Sequence, residues 1–191
     1  MGTEHLGQPC SPVQTFKAHL VVMGVSGCGK SSLAQALSEA LGLRLIEGDD
    51  FHSAHNIERM QAGIPLTDDD RAGWLQTLGA ELAASGPGAV LSCSALKLAY
   101  RQLLRQACPG LRFVFLELSP DTALARVQAR APSHFFNPAL VHNQFEVLEP
   151  PLGEAGCLRL DATRPIAELC RSTLQWLQPV GTATPTQGDL S

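Results

Sequence analysis

The run Leu20-Val21-Val22-Met23-Gly24-Val25-Ser26-Gly27-Cys28-Gly29-Lys30-Ser31-Ser32 constrains this chain more than any other stretch. Its first residues are strand formers, and a helical pattern opens at Lys30. Between them stands Gly, four residues, Gly-Lys-Ser, the spacing of a phosphate-binding loop. Glycines let the backbone curl so that successive N–H groups face anionic oxygens. The helix from Lys30 turns its unpaired N–H groups and positive dipole end to the same point. Gly24, Val25, Ser26, Gly27, Cys28, Gly29, Lys30, Ser31 and Ser32 are therefore the expected nucleotide-binding residues. Lys30 can reach the β- and γ-phosphates, and the Ser31 hydroxyl can ligate Mg²⁺.

What surrounds this loop narrows the class. A length of 191 residues with 45% hydrophobic content supports one well-cored domain. A formal charge of -4 argues against a general grip on nucleic acid. No apolar run approaches the ~20 residues of a membrane span, and no basic-then-apolar leader opens the chain. Six cysteines without a CxxC pair make neither a disulfide framework nor a zinc site, which predicts reduced thiols and a cytoplasmic protein.

Five short apolar runs alternate with helical patterns. Strands are expected at Ala18 to Met23, Leu43 to Ile46, Ala89 to Cys93, Arg112 to Leu118 and Leu158 to Leu160. Helices are expected at Lys30 to Leu41, Ser53 to Ala62, from Thr67 to about Ser85, Leu96 to Ala107, from Pro120 to about Arg130, Pro138 to Phe145 and Pro165 to Leu177. The first helix carries Leu33, Ala36, Leu37, Ala40 and Leu41 as its apolar stripe; the third carries Trp74, Leu75, Leu78 and Leu82. Such alternation predicts an α/β fold, a five-stranded parallel sheet with helices on both faces. Residues 1–17 read as a flexible leader, 18–178 as the domain and 179–191 as a disordered tail. Ligands in such sheets lie beyond the carboxyl ends of the strands, so the chemistry is expected there.

After the second strand come Glu47, Asp49 and Asp50. Phosphoryl transfer to a hydroxyl needs one carboxylate to orient or deprotonate it and others to hold Mg²⁺, so Ser31, Glu47 and Asp49 form the expected metal set. After the third strand, Ser94 and a helix start offer hydroxyl and N–H donors, with Lys97 and Arg101 one turn apart adding positive charge. Arg71 follows three aspartates; it either pairs with Asp68 on the surface or clamps a substrate carboxylate. Arg126, Arg130 and His134 fall where a mobile lid, about residues 126–146, would fold over the nucleotide.

Several segments together resemble the gluconokinases: GVSGCGKS at Gly24–Ser31, Asp49-Asp50-Phe51-His52, Gly63-Ile64-Pro65-Leu66 with Asp68-Asp69-Asp70-Arg71 and Trp74-Leu75, Cys93-Ser94-Ala95-Leu96-Lys97 with Tyr100-Arg101, His134-Phe135-Phe136, and Gln144-Phe145 with Leu148-Glu149-Pro150. The resemblance implies the P-loop fold of nucleoside-monophosphate and shikimate kinases, with a lid, and commonly a homodimer. It implies phosphorylation of D-gluconate at its 6-hydroxyl, with ATP and Mg²⁺ as cofactors. Asp49 would then stand by the acceptor hydroxyl and Arg71 by its carboxylate, with His52 and His134 among the substrate-binding residues. The sequence departs from the family pattern at Glu47, where Asp is usual, and in the three residues between Arg130 and His134. A shikimate-type kinase and a nucleotide-gated regulator without turnover are the alternatives.

Overall fold

The structure is a computed structural model that describes residues 18–129 and 137–178. The expected leader and tail, and the expected lid residues Arg130 and His134, lie outside the described residues. Strands β1 (Ala18–Met23), β2 (Arg44–Glu47), β3 (Gly88–Ser92), β4 (Arg112–Glu117) and β5 (Cys157–Asp161) form one parallel sheet in the order β2-β3-β1-β4-β5. Among the described residues the α-helices are α1 (Lys30–Leu41), α2 (Ala54–Gln61), α3 (Asp68–Ala83), α4 (Leu98–Ala107), α5 (Pro120–Gln128), α6 (Leu140–Val147) and α7 (Ile166–Leu177). The expected five-stranded parallel sheet is thus present.

The pleat of the central strands explains the layers. Leu20 and Val22 turn to one face and pack with Leu33 and Leu37 of α1 and Leu169 and Leu177 of α7. Val21 and Met23 turn to the other, with Leu75 and Leu78 of α3 and Leu104 of α4. On β4, Val114 and Leu116 join the first layer and Phe113 and Phe115 the second. Successive side chains of a strand point to opposite faces, so a continuous apolar run fills two cores at once.

Several boundaries shift by one or two residues from expectation, and two of the shifts have a clear local reason. Leu43 belongs to the turn closing α1: its N–H donates to Ser38 O at 3.0 Å, and the Ser38 hydroxyl donates to Leu43 O at 2.6 Å. The buried stripe of α1 is accordingly Leu33, Ala34, Leu37 and Ser38, while Ala40 is exposed. Helix α4 starts at Leu98 rather than Leu96, because Ala95 takes a left-handed conformation with φ 43°. The acids after β2 lie on a single 3₁₀ turn, Gly48–Phe51.

The phosphate loop turns sharply off β1. Gly24 has φ 142°, and a Cβ there would stand 2.7 Å from Leu116 O, so no side chain fits. Gly29, the residue capping α1, is left-handed at φ 94°. This follows the order of strands: β1 lies between β3 and β4, where the chain's path through the sheet reverses and a crevice opens.

Candidate active site

One cavity at the carboxyl ends of the strands is lined by Ser26, Lys30, Asp49, His52, Arg71 and Ser94, with Met60, Pro65, Leu66, Leu140, Asn143 and Gln144 completing the wall. The phosphate loop, the 3₁₀ turn, α2, α3, the segment after β3 and α6 all contribute, so the cavity exists only in the folded chain. Lys30 folds back with Nζ 3.1 Å from Val25 O, inside its own loop. The Ser31 hydroxyl donates to Glu47 Oε2 at 3.0 Å and lies 3.4 Å from Ser92 Oγ. A hydroxyl and a carboxylate in contact beside a phosphate loop are hard oxygen donors suited to Mg²⁺, which keeps several waters and needs few protein ligands. Among the described residues no cluster of three acidic, histidine or cysteine side chains could hold a metal. Asp49 lines the cavity on the same 3₁₀ turn.

The substrate side rests on α3. Thr67 caps it through a capping box: the Thr67 hydroxyl accepts from Asp70 N–H at 3.2 Å and the Asp70 carboxylate accepts from Thr67 N–H at 2.8 Å. One turn on, Arg71 reaches the cavity while Trp74 and Leu75 anchor the helix in the core. Asp68 is engaged elsewhere: Lys97 Nζ donates to both its oxygens at 2.6 and 2.9 Å, and the Tyr100 hydroxyl also donates to it. Lys97 first, then Tyr100, hold the Asp68 carboxyl below its usual range. The surface pair Arg71–Asp68 is therefore not formed. Among the described residues no salt bridge engages Arg71, whose guanidinium lies 5.9 Å from the Tyr100 ring centroid.

His52 stacks on Trp74 with ring centroids 4.3 Å apart, and the indole N–H donates to Gly48 O at 2.7 Å. Burial lowers the His52 pKa to about 4, with Asp49 opposing and Arg71 assisting, so the ring is neutral near pH 7. Burial likewise pushes the Cys93 thiol up to about 12, which leaves it protonated and unreactive.

The structure moves three expected residues away from the cavity mouth. Arg101 is 1% exposed and paired with Glu154, so it adds no charge there. Lys97 does not line the cavity and is held by Asp68. At the start of α4 the Leu98 N–H is already taken by Glu149 Oε2 at 2.6 Å. Arg126 touches the phosphate loop from outside the cavity, with Nη1 3.1 Å from Ala162 O and 3.4 Å from Gly27 O.

Sequence reasoning quoted Gln144 in the family pattern but gave it no role; its side-chain oxygen accepts the Ser26 N–H at 2.6 Å and ties α6 to the phosphate loop. It also missed the apolar patch Met60, Leu66 and Leu140 that joins α2, the segment between α2 and α3, and α6. A buried glutamine on an otherwise apolar helical face was the available signal for the first.

The comparisons settle the family. Residues 20–151 match the family described as an AAA domain. A probable gluconokinase of Schizosaccharomyces pombe is 41% identical over 156 residues, 76% of this chain and 80% of that one. The chain belongs to the gluconokinase family. A solved gluconokinase from Sinorhizobium meliloti superposes with a TM-score of 0.77 at 47% identity, over 86% of this chain and 93% of its own. The shikimate kinase of Acinetobacter baumannii, at 18% identity and a TM-score of 0.59 over 85% of this chain and 94% of its own, shares the fold alone. Within the gluconokinase family pattern the longer Glu47 still reaches Ser31. Among the described residues no helix is long and apolar enough to cross a membrane.

Proposed function

We propose that the protein transfers the γ-phosphoryl group of ATP to the 6-hydroxyl of D-gluconate, giving 6-phosphogluconate and ADP. The observation that carries this reading is a guanidinium without an ion-pair partner among the described residues, Arg71, sharing one cavity with Lys30 and Asp49. A planar cation clamps a carboxylate in bidentate fashion, which a neutral sugar would not supply. Asp49 orients the acceptor hydroxyl and receives its proton, while Lys30 and the backbone N–H groups of residues 27–32 hold the phosphates. Ser94 and the neutral His52 face the polyol. Ser31 and Glu47 would hold Mg²⁺, which when bound neutralises charge on the phosphates. Residues 126–146 are read as the lid, a reading supported by the Gln144–Ser26 hydrogen bond and by Leu140 packing on Met60 and Leu66. A homodimer acting in the cytoplasm belongs to the same reading, and light scattering of the purified chain tests the dimer.

The test is ATP consumption with Mg²⁺ and D-gluconate, coupled to detection of 6-phosphogluconate, with shikimate and water as parallel acceptors. Product with gluconate alone is expected. Consumption only with another acid would keep the kinase and remove gluconate; ATP binding without turnover would favour a regulator.

A further inference from the structure

Ala95 is the only non-glycine with positive φ among the described residues, and its side chain is fully buried. A left-handed alanine is costly, and such a conformation persists only where its surroundings over-determine it. Here they do. Cys93 N–H continues the β-ladder to Val22 O at 3.1 Å, and Ser94 O accepts Gly24 N–H, the first residue of the phosphate loop, at 3.3 Å. Arg101 then closes the turn from below, with Nη1 donating to both Ala95 O and Leu96 O at 3.0 Å. Its remaining donors go to Glu154, with Nε 2.9 and 3.1 Å from the two carboxylate oxygens and Nη2 on the first of them. Glu149 N–H adds a second bond to Leu96 O at 2.9 Å.

Burying this ion pair carries a desolvation penalty that an apolar pair of the same size would avoid. What an apolar pair lacks is a planar fork that serves two carbonyls and a carboxylate together. Ser94, next to the strained residue, lines the cavity with Lys30, Asp49 and Arg71. We propose that Arg101, clamped by Glu154, is a positioning residue: it holds Ala95 left-handed, and so keeps Ser94 at once on the acceptor and on the phosphate loop. Arg101 touches no substrate. The inference rests on the gluconate reading above only for the choice of acceptor.

The experiment compares wild type, Arg101→Lys, Glu154→Gln, Ala95→Gly and Arg101→Lys/Ala95→Gly, well below their melting temperatures. Lysine keeps the charge and loses the fork. Arg101→Lys is expected to raise the gluconate KM by roughly tenfold, the equivalent of one charge-assisted hydrogen bond, and to leave the ATP KM within about twofold. Glycine adopts the left-handed conformation without steric cost, so the double variant is expected to recover most of the lost gluconate KM. An Arg101→Lys protein with a lowered Tm but an unchanged gluconate KM would reduce the pair to a structural brace and overturn the proposal. So would a raised KM that Ala95→Gly fails to restore. Should Arg101→Lys not fold, Glu154→Gln carries the same comparison. Backbone chemical shifts of Ala95 report the left-handed turn without any acceptor: they should move toward ordinary values in Arg101→Lys. If wild type turns over another acid, the KM comparison is made on that acid, and the failure falls on gluconate alone.

Discussion

In the proposed reaction Lys30, Asp49 and Arg71 divide the chemistry between them, and each role has its own kinetic signature. Asp49 shares the cavity with Lys30 and has the carboxylate that a reacting hydroxyl needs. Asp49→Asn keeps the shape and removes the base, so kcat should fall on the order of 10²-fold or more with little change in the ATP KM. Near-normal turnover in steady-state assays would take the proton-accepting role away from it. Arg71 has no ion-pair partner among the described residues to release before substrate binds. Arg71→Ala should therefore raise the gluconate KM by about tenfold to a hundredfold, the range of a lost charge-assisted contact, and spare ATP. An unchanged gluconate KM would place the carboxylate elsewhere. Lys30 differs from both, because in this structure it is bound to its own loop at Val25 O and must swing to meet a phosphate.

At the scale of elements, α3 is the platform that sets Arg71, and its capping box fixes where the helix begins. Thr67→Ala leaves the Asp70 N–H without its acceptor and should cost about 1 kcal/mol of stability, read as a lower denaturant midpoint at constant m. It should also raise the gluconate KM more than the ATP KM, since Arg71 lies in the next turn. Thr67, the three aspartates and the Trp74-Leu75-Leu78-Leu82 stripe were all legible in the sequence, because capping and periodicity are local. The same holds for the phosphate loop and for the five strands. Arg101 was not legible as a buried group. An arginine on an amphipathic helix reads as its solvent face, and the partner that makes burial tolerable, Glu154, lies 53 residues on. The helix period did hold a clue, since Arg101 shares its face with Leu104 and Cys108, both buried. The role of Gln144 escaped for the same reason: its partner Ser26 is 118 residues away.

Over the whole molecule, the groups that tie the site to the scaffold also set how the fold responds to acid. His52 is held neutral against Trp74, with its pKa lowered from 6.5 to about 4 by burial. The unfolded chain therefore binds more protons than the folded one between these values, and stability falls as pH drops through that window. Glu154 acts lower down. Burial pushes its carboxyl up, but hydrogen bonds from Arg101 and Arg105 more than offset this, and its pKa ends below 4.5. Its contribution is complete above 4.5 and lost as pH falls through the lower folded value. Acid unfolding should thus steepen in two stages, the first from His52 in the cavity wall and the second from the clamp beneath Ser94. Denaturant midpoints measured from pH 8 to pH 3 should show His52→Gln flattening only the upper stage and Glu154→Gln only the lower. Both variants lose stability at neutral pH, from the lost ring stack and from an unpaired buried Arg101, so the decisive quantity is the slope against pH and not the height of the curve. A His52→Gln slope identical to wild type between pH 6.5 and 4 would mean that the imidazole is as easily protonated in the fold as outside it. Its stacking on Trp74 would then give no protection from water.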